Sequence, residues 1–234
     1  MDTFGASIKC RLCKTTQNGF CSPPQWTCDN CKKSINAQEA DNILQSAYKE
    51  TENLLHNESN WSVAHYEKFL SDYKSILHPN NMCMVRIKNS LVGFYGRSAG
   101  YEVPALMANP RLLERKIALA KSILEVVGKI EPGISSVKGN FKRCPDLQYF
   151  IFIFSGIILY ELHMPIFLKA QISLNMGLVF PKVAKKEFKQ AIKYIEKSAE
   201  HLKYEPEGSF GFQLNCGTSS SVEQLKNFVS RMTI

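Results

Sequence analysis

The sequence predicts a mainly α-helical chain: a small N-terminal module of four zinc-ligating cysteines, followed by an antiparallel array of helices. Two observations support this prediction. Five of the eight cysteines lie between Cys10 and Cys31, whereas the other three are scattered singly. From Ser34 onward, apolar residues recur with the period of amphipathic helices. We therefore expect a zinc module over residues 1–33 and a helical domain over residues 34–234.

The composition is that of a folded protein. Its 234 residues are 44% hydrophobic and 21% charged, which is enough to bury a core and excludes a disordered tail or a disulfide-stapled miniprotein. The formal net charge is +8. A modest basic excess favours acidic partners, but it does not by itself indicate nucleic-acid binding.

Four cysteines occur as two pairs with the spacing of metal ligands. Cys10-x2-Cys13 and Cys28-x2-Cys31 are separated by fourteen residues. Two residues between cysteines let a tight turn direct both sulfurs at one tetrahedral ion, and this spacing is typical of four-thiolate zinc sites. Because four thiolates close the coordination shell, we expect a structural zinc. Cys21 is left open: it either replaces one of the four ligands or lies free as a small apolar residue.

No segment has the features of a secretory signal or a membrane anchor. The first ten residues lack the apolar core of a signal. The longest apolar run, 149–160, has twelve residues, fewer than the roughly 20 that a membrane-spanning helix needs. We therefore expect a protein of the cytoplasm or nucleus that does not bind membranes. In those compartments thiols stay reduced, and clustered cysteines more often hold metal than form disulfides.

Each predicted helix combines a start signal with an apolar face. Asparagine, serine or proline opens each helix, and a turn containing proline closes several of them, as His78-Pro79 does for the second helix. The predicted starts, in chain order, are Asn36, Ser62, Asn80 or Asn81, Asn109, Pro145, Pro181 and Ser220. These signals give seven to eight helices and no convincing strand pair.

The last three helices carry specific expectations. The apolar helix after Pro145 should be buried and should break near Pro165, because proline ends or kinks a helix. The next helix should be amphipathic, with Val183 turned inward and a run of lysines outward. The last helix should be capped by Ser220 together with Glu223.

No catalytic constellation stands out. The sequence has no P-loop and no His-Glu-x-x-His pattern. Glu161 and His163 come nearest to an acid–base pair, but residues two apart on a helix point in different directions, which favours a helix-end polar cluster. The residues alone therefore predict a zinc module and a helical interaction domain.

Several segments, taken in order, resemble the C-terminal part of the SET and MYND domain (SMYD) family, in its arthropod-type branch. The segments are 26–31 (Trp-Thr-Cys-Asp-Asn-Cys), the helix pair leading to His78-Pro79-Asn80, the stretch from 112–116 to 131–133, and 156–163 with its Gly-x3-Tyr-Glu-Leu-His pattern. The likeness covers nearly the whole chain. SMYD proteins are protein-lysine methyltransferases that use S-adenosylmethionine, and they end in a post-SET zinc segment and a helical domain similar to tetratricopeptide (TPR) repeats.

The resemblance implies roles for some residues and excludes others. It implies that Cys10, Cys13, Cys28 and Cys31 bind a structural Zn2+. It also implies that a TPR-like domain binds proteins, either substrates or partners of the chaperone or transcription type. The SET core with its cofactor motif, the MYND finger and the usual post-SET Cys-x-Cys-x2-Cys triplet do not occur in the chain. We therefore expect no catalytic or cofactor-binding residue here, and S-adenosylmethionine only where a SET core is supplied.

Two hypotheses about function follow. The first is a fragment of a SMYD-type methyltransferase that carries the zinc segment and the helical domain and does not methylate on its own. The alternative is a free-standing zinc-ribbon protein that binds nucleic acid, suggested by the +8 charge and the basic residues beside the cysteine pairs; its affinity should fall steeply with salt. We do not expect nucleic acid as a partner, because the positive charge is spread over helical faces.

Overall fold

The structure is a computed structural model that describes residues 6–10, 20–22, 25–56, 62–130, 145–177 and 181–232. Its elements, in chain order, are β1 (Ile8–Lys9), β2 (Phe20–Ser22), β3 (Thr27–Cys28), α1 (Ala37–His56), α2 (Val63–Tyr73), α3 (Met82–Phe94), α4 (Val103–Ala108), α5 (Pro110–Ile130), α6 (Pro145–Asn175), α7 (Pro181–Leu202) and α8 (Phe210–Ser230). The prediction of a mainly helical chain is confirmed. The expectation of no strand pair is wrong, since three short strands form an antiparallel sheet in the order β1-β2-β3.

The chain divides into two compact units, Met1–Leu91 and Val92–Ile234. The first unit holds the sheet, α1, α2 and most of α3, and the second holds α4 to α8. The cysteine-rich segment therefore belongs to the same compact unit as the first helices. The predicted boundary between residues 33 and 34 marks a change in composition, and as a domain boundary it stays a prediction.

The predicted caps at the start of α1 and α3 are present. The Asn36 Oδ1 accepts hydrogen bonds from the backbone nitrogens of Gln38 at 2.8 Å and Glu39 at 3.2 Å. The Asn81 Oδ1 accepts one from the Cys83 nitrogen at 2.9 Å. Each bond satisfies a donor that the first turn of a helix leaves without a partner, which is why asparagine marks these starts.

Within the second unit, α6, α7 and α8 pack against one another around one apolar cluster. Its buried members are Ala170, Ala184, Phe188, Ile192, Ile195, Leu225 and Val229. The predicted amphipathic character of α7 is confirmed, with one exception. Val183 is 48% exposed, because it lies in the first turn of α7, beside the buried Ala184.

The predicted break at Pro165 does not occur. α6 runs unbroken from Pro145 to Asn175, with Pro165 inside it. Proline removes one backbone hydrogen bond and crowds the preceding turn, which costs about 3 kcal/mol in an isolated helix. Residues on both sides of the proline, such as Leu162 and Ile166, are buried. We infer that this burial offsets the local cost.

Because α6 is longer than the apolar run 149–160, length no longer excludes a membrane-spanning helix. Among the described residues, Ile153–Asn175 is one stretch long and apolar enough to cross a membrane by length and composition. The twelve-residue length used above is therefore too short, because the helix continues past Pro165. Since 56% of its most apolar window is buried inside the protein, the stretch also has the character of a core helix.

Two other helix boundaries differ from the sequence prediction. α8 begins at Phe210 rather than near Ser220, and Ser209 caps it by accepting a hydrogen bond from the Phe212 nitrogen at 3.0 Å. The six-residue α4 was not predicted. Ser220 lies inside α8 because the apolar positions of this helix begin at Phe210, two residues after Gly208 and ten residues before Ser220.

Candidate metal centre

The cysteine site is built on one face of the sheet. Directly opposed residues on antiparallel strands share a face, and the pairs Ile8–Cys21 and Cys21–Cys28 therefore set Ile8, Cys21 and Cys28 in a row. An antiparallel bridge from Ile8 to Leu77 extends the row beyond β1. All four side chains are 2% exposed or less. These four residues form the buried base of the cysteine site.

Alternation along β1 brings Cys10 to this face, because residues two apart on a strand point the same way. Cys28 ends β3, and Cys31 follows in the turn after it. The sulfurs of Cys10, Cys28 and Cys31 all lie within 4.8 Å of one another. These three cysteines can hold a metal ion, as the two-pair spacing predicts.

The turn that carries Cys31 is held by backbone hydrogen bonds. The Cys28 nitrogen donates to the Lys33 carbonyl oxygen at 2.9 Å, and the Lys32 nitrogen donates to the Cys28 carbonyl oxygen at 3.1 Å. Lys32 has φ of 59°, a conformation that non-glycine residues rarely adopt. The Cys31 nitrogen lies 3.4 Å from the Cys28 Sγ and donates to it. A donor aimed at this sulfur favours the thiolate, the form that binds metal.

The separation of the Cys10 and Cys31 sulfurs is that of two ligands of a tetrahedral zinc ion. With zinc–sulfur bonds of about 2.3 Å, two thiolates of a tetrahedral site are about 3.8 Å apart. The Cys10 and Cys31 sulfurs are 3.7 Å apart. A disulfide would bring them to about 2.0 Å. The donor set and its spacing therefore suit a thiolate metal site.

Cys21 lies beside the three sulfurs, but it is not one of the set that meets within 4.8 Å. Its side chain is fully buried and forms a hydrogen bond with Cys10. Burial, followed by the nearby Cys10 and Cys28, raises the pKa of the Cys21 thiol to about 12. This placement favours the second of the two roles left open above, a small apolar residue next to the site.

The other cysteines contribute nothing to this cluster within the described ranges. The predicted ligand Cys13 lies outside the described residues, as do Arg11 and Lys14 of its basic surroundings. Cys83 is buried in α3 and Cys216 is exposed on α8. Of the four predicted ligands, the structure therefore brings three together.

The Glu161–His163 pair does not form an acid–base site. Glu161 accepts hydrogen bonds from Lys116, at 2.8 Å, and from Arg97. The Lys116 Nζ also donates to the Tyr95 carbonyl oxygen at 2.7 Å. Burial lowers the pKa of Lys116, and the neighbouring Glu161 acts against that effect. The cluster lies inside α6 rather than at its end, and it is a buried ion network.

His163 faces a different partner, as its spacing from Glu161 predicts. Its Nδ1 is in hydrogen-bond contact with the Tyr160 carbonyl oxygen. A carbonyl only accepts hydrogen bonds, so the proton of the neutral ring lies on Nδ1. Burial lowers the pKa of His163, which keeps the ring neutral at pH 7.

One motif is easily missed in the sequence: 96–100 reads Gly-Arg-Ser-Ala-Gly, which matches the Gly-x-Ser-x-Gly pattern of serine hydrolases. That pattern needs a strand before the serine and a long helix after it. Here α3 precedes the segment and the short α4 follows. Gly96 and Gly100 have φ of 115° and 79°, so both glycines are explained by the turn they form.

The first unit also contains an open groove of about 820 Å³ between α1 and the end of α2. Ile43, Tyr73 and Ile76 provide its apolar part, and Glu39 and Glu50 are among the acidic residues along it. The Tyr73 hydroxyl donates to the Glu50 carboxylate at 3.0 Å. The groove is therefore acidic on a chain whose net charge is +8.

Comparison of the chain with protein-family models, with curated proteins and with solved structures found no match.

Proposed function

We propose that Cys10, Cys28 and Cys31, with Cys13 as the fourth ligand, bind a structural zinc ion that orders the N-terminal sheet. The observation that carries the proposal is the meeting of three sulfurs beside the buried face of the sheet, with the Cys10 and Cys31 sulfurs 3.7 Å apart. Zinc binding in such small modules supplies roughly 10 kcal/mol or more of folding free energy. The three strands have only two or three residues each, so their pairing alone is too weak to fold the segment.

The helical remainder is proposed to bind other proteins. The resemblance to the C-terminal part of SMYD methyltransferases supports this role, and it also supports the proposal that the helices form a TPR-like arrangement. The groove along α1 adds a concave surface with an aromatic residue, Tyr73, and an acidic border. The chain alone is proposed to be non-catalytic, located in the cytoplasm or nucleus.

The zinc proposal is tested by measuring metal content and by two cysteine variants. Protein purified without chelator should contain one zinc per chain by mass spectrometry. Cys13→Ser should lose most of the zinc, because it removes a ligand. Cys21→Ser should keep it, because the Cys21 sulfur is outside the set of three. Cys216→Ser is the control for general thiol loss, since Cys216 is exposed on α8. Full zinc in Cys13→Ser and loss in Cys21→Ser would assign the fourth ligand to Cys21 instead.

The non-catalytic proposal is tested separately by calorimetry with S-adenosylmethionine. No heat of binding is expected for the chain alone. Micromolar binding would contradict the proposal, whatever the zinc content.

A further inference from the structure

We propose that the exposed lysine face of α7 binds the sugar-phosphate backbone of double-stranded nucleic acid without sequence preference. The lysine face consists of Lys182, Lys186, Lys189, Lys193 and Lys197, one residue for each helical turn. All five side chains are exposed. At 1.5 Å per residue they extend over about 22 Å of the helix. This inference goes beyond the proposed function, which assigns α7 no ligand.

The lysine face has no internal counter-charge. Within the part of the chain that the structure describes, none of its five lysines forms an ion pair. Lysines elsewhere do, as in Lys68–Asp72 and Lys169–Glu114. Like charges three and four residues apart destabilise a helix, so the face works against the stability of α7. A polyanionic partner removes that repulsion.

Of the three acidic residues of α7, Glu196 and Glu200 share the lysine face by helical spacing and lie near its C-terminal end, whereas Glu187 lies on another side of the helix. Glu196 is paired with Lys226 of α8 at 2.6 Å, which neutralises it. Glu200 lies one turn beyond Lys197. Over the first four turns of α7 the face is purely basic.

The chemistry of the face favours nucleic acid over a protein partner or a membrane. Protein interfaces have apolar cores from which lysine is depleted, and no apolar or aromatic side chain lies on this face of the helical wheel. A helix that binds a bilayer inserts its apolar face, whereas the apolar side chains of α7, such as Phe188 and Ile195, are buried in the protein core.

The composition of the lysine face indicates that its partner is double-stranded rather than single-stranded. It also indicates binding without sequence preference. Single strands are bound by stacking their bases on exposed aromatic rings, which the lysine face lacks. Bases are read in the major groove by bidentate contacts of arginine or lysine and of asparagine or glutamine. α7 contains no arginine or asparagine, and its one glutamine, Gln190, lies beside the lysine face rather than within it. Lysine is a point charge that suits phosphate contact. From the sequence alone nucleic acid is not an expected partner, and the alternative hypothesis places its binding beside the cysteine pairs. The present proposal differs on both points, because five lysines share one exposed side of α7.

The test uses the full chain with its zinc and a fluorescein-labelled 20-base-pair DNA duplex of arbitrary sequence. Binding is followed by fluorescence anisotropy between 50 and 200 mM NaCl. Five phosphate contacts predict a slope of log K against log salt near about −4.5, an affinity loss of about 500-fold over this range. Absence of binding to the wild-type chain at 50 mM NaCl would overturn the proposal.

Two variants with equal charge separate the lysine face from net charge. The first replaces all five lysines of the face by glutamine, which keeps similar helix propensity. The control replaces five exposed lysines elsewhere: Lys49→Gln, Lys74→Gln, Lys121→Gln, Lys129→Gln and Lys203→Gln. We expect the first variant to lose at least about 100-fold in affinity at 50 mM NaCl, and the control to keep the wild-type slope. Equal losses in both variants would overturn the proposal.

Circular dichroism and zinc content check that both variants are folded. If the five-lysine variant does not fold, Lys189→Glu on the face is compared with Lys121→Glu as its control. A larger loss of duplex affinity is expected for Lys189→Glu.

Vesicles containing phosphatidylserine are titrated in parallel. Tighter binding to vesicles than to the duplex would overturn the proposal in favour of a membrane. Because zinc content is measured throughout, failure here leaves the zinc proposal separately testable.

Discussion

Gly156 lies where α6 packs closely against the end of α7, and its lack of a side chain permits that close packing. A Cβ atom at this position would lie 2.9 Å from the His201 Cβ and 2.9 Å from the Leu202 Cγ. Two hydrogen bonds cross the same contact: the Ser198 hydroxyl donates to the Gly156 carbonyl oxygen at 2.7 Å, and Ser155 bonds the His201 ring at 2.7 Å. The glycine is therefore explained by packing.

Gly156→Ala should destabilise the second unit by about 1–3 kcal/mol, because the added methyl forces the two helices apart. Urea unfolding measures the change. The matched control is Gly217→Ala in α8, where nothing lies within 4 Å of the added Cβ. That variant should be neutral or stabilised by up to about 1 kcal/mol, since alanine is the better helix former. Equal effects at the two sites would contradict the packing argument.

His163 should make the protein lose stability in mild acid. Its pKa in the folded protein is lowered by burial, so below its ordinary pKa the unfolded chain binds a proton that the folded chain does not. The free energy of unfolding therefore keeps its full value above the ordinary histidine pKa, near 6.5. It falls as the pH drops below that value, by at most about 1.4 kcal/mol per pH unit. Unfolding of wild type and His163→Asn at pH 7, 6 and 5 tests this.

In the His163→Asn variant the fall with pH should be shallower, because the titrating ring is gone. His65→Asn is the control, since His65 is exposed at the start of α2. A constant stability difference between wild type and His163→Asn at all three pH values would show that the ring does not titrate in this range.

At the residue scale, the helix caps at Asn36 and Asn81 are confirmed, and Cys13 as the fourth metal ligand stays a prediction. Asn36 and Asn81 act as predicted, because an N-cap depends only on local sequence. The choice between Cys13 and Cys21 depends on how β1, β2 and β3 pair, which spacing does not reveal. Val183 is exposed although its neighbour Ala184 is buried, because the edge of an apolar face is set by the neighbouring helix.

At the scale of elements, the ion network joins two helices and the segment that follows α3. Lys116 lies on α5, Glu161 on α6, and Arg97 in the segment after α3. The Lys116 and Glu161 side chains are each 8% exposed. A buried pair contributes little on balance, but removing one partner leaves an uncompensated charge in the core.

Glu161→Gln should therefore lower the free energy of unfolding by about 3–5 kcal/mol. The double variant Lys116→Met/Glu161→Leu should recover most of this loss, since it removes both buried charges. Glu196→Gln is the control: its pair with Lys226 is about half exposed on both sides, so a change below about 1 kcal/mol is expected. A double variant no more stable than Glu161→Gln would contradict the charge argument.

The continuous α6 shows why sequence reasoning fails at this scale. Proline inside an apolar run predicts a break, and only tertiary burial on both sides of Pro165 reverses that preference. The start of α8 was misplaced for a related reason, since Ser209 and Ser220 are both good local caps. The surrounding core, which decides between such signals, is not visible in a local pattern.

For the whole molecule, removal of zinc should affect one compact unit and spare the other. Within the first unit, hydrogen bonds join the sheet to the segment that follows α2: the Lys9 nitrogen donates to the Ile76 carbonyl oxygen at 2.8 Å, and the His78 nitrogen donates to the Ser7 carbonyl oxygen at 3.2 Å. A strong chelator should therefore raise hydrogen exchange over 6–35 and near 76–81. Exchange in α6 and α7 should stay unchanged.

Mass-spectrometric hydrogen exchange with and without chelator measures this directly. Readdition of zinc should restore protection, which separates metal loss from damage by the chelator. Simultaneous loss of protection in α6 and α7 would mean that the two units do not unfold independently.

The bridge from Ile8 to Leu77 also has a consequence for biosynthesis. Leu77 follows Ile8 by 69 residues, so at about 5–20 residues per second β1 leaves the ribosome roughly 3–14 s before the segment that covers its edge. During that interval the strand presents an open edge, the kind of surface that recruits other chains. We expect the zinc supply during translation to decide how many nascent chains keep this sheet intact until Leu77 arrives.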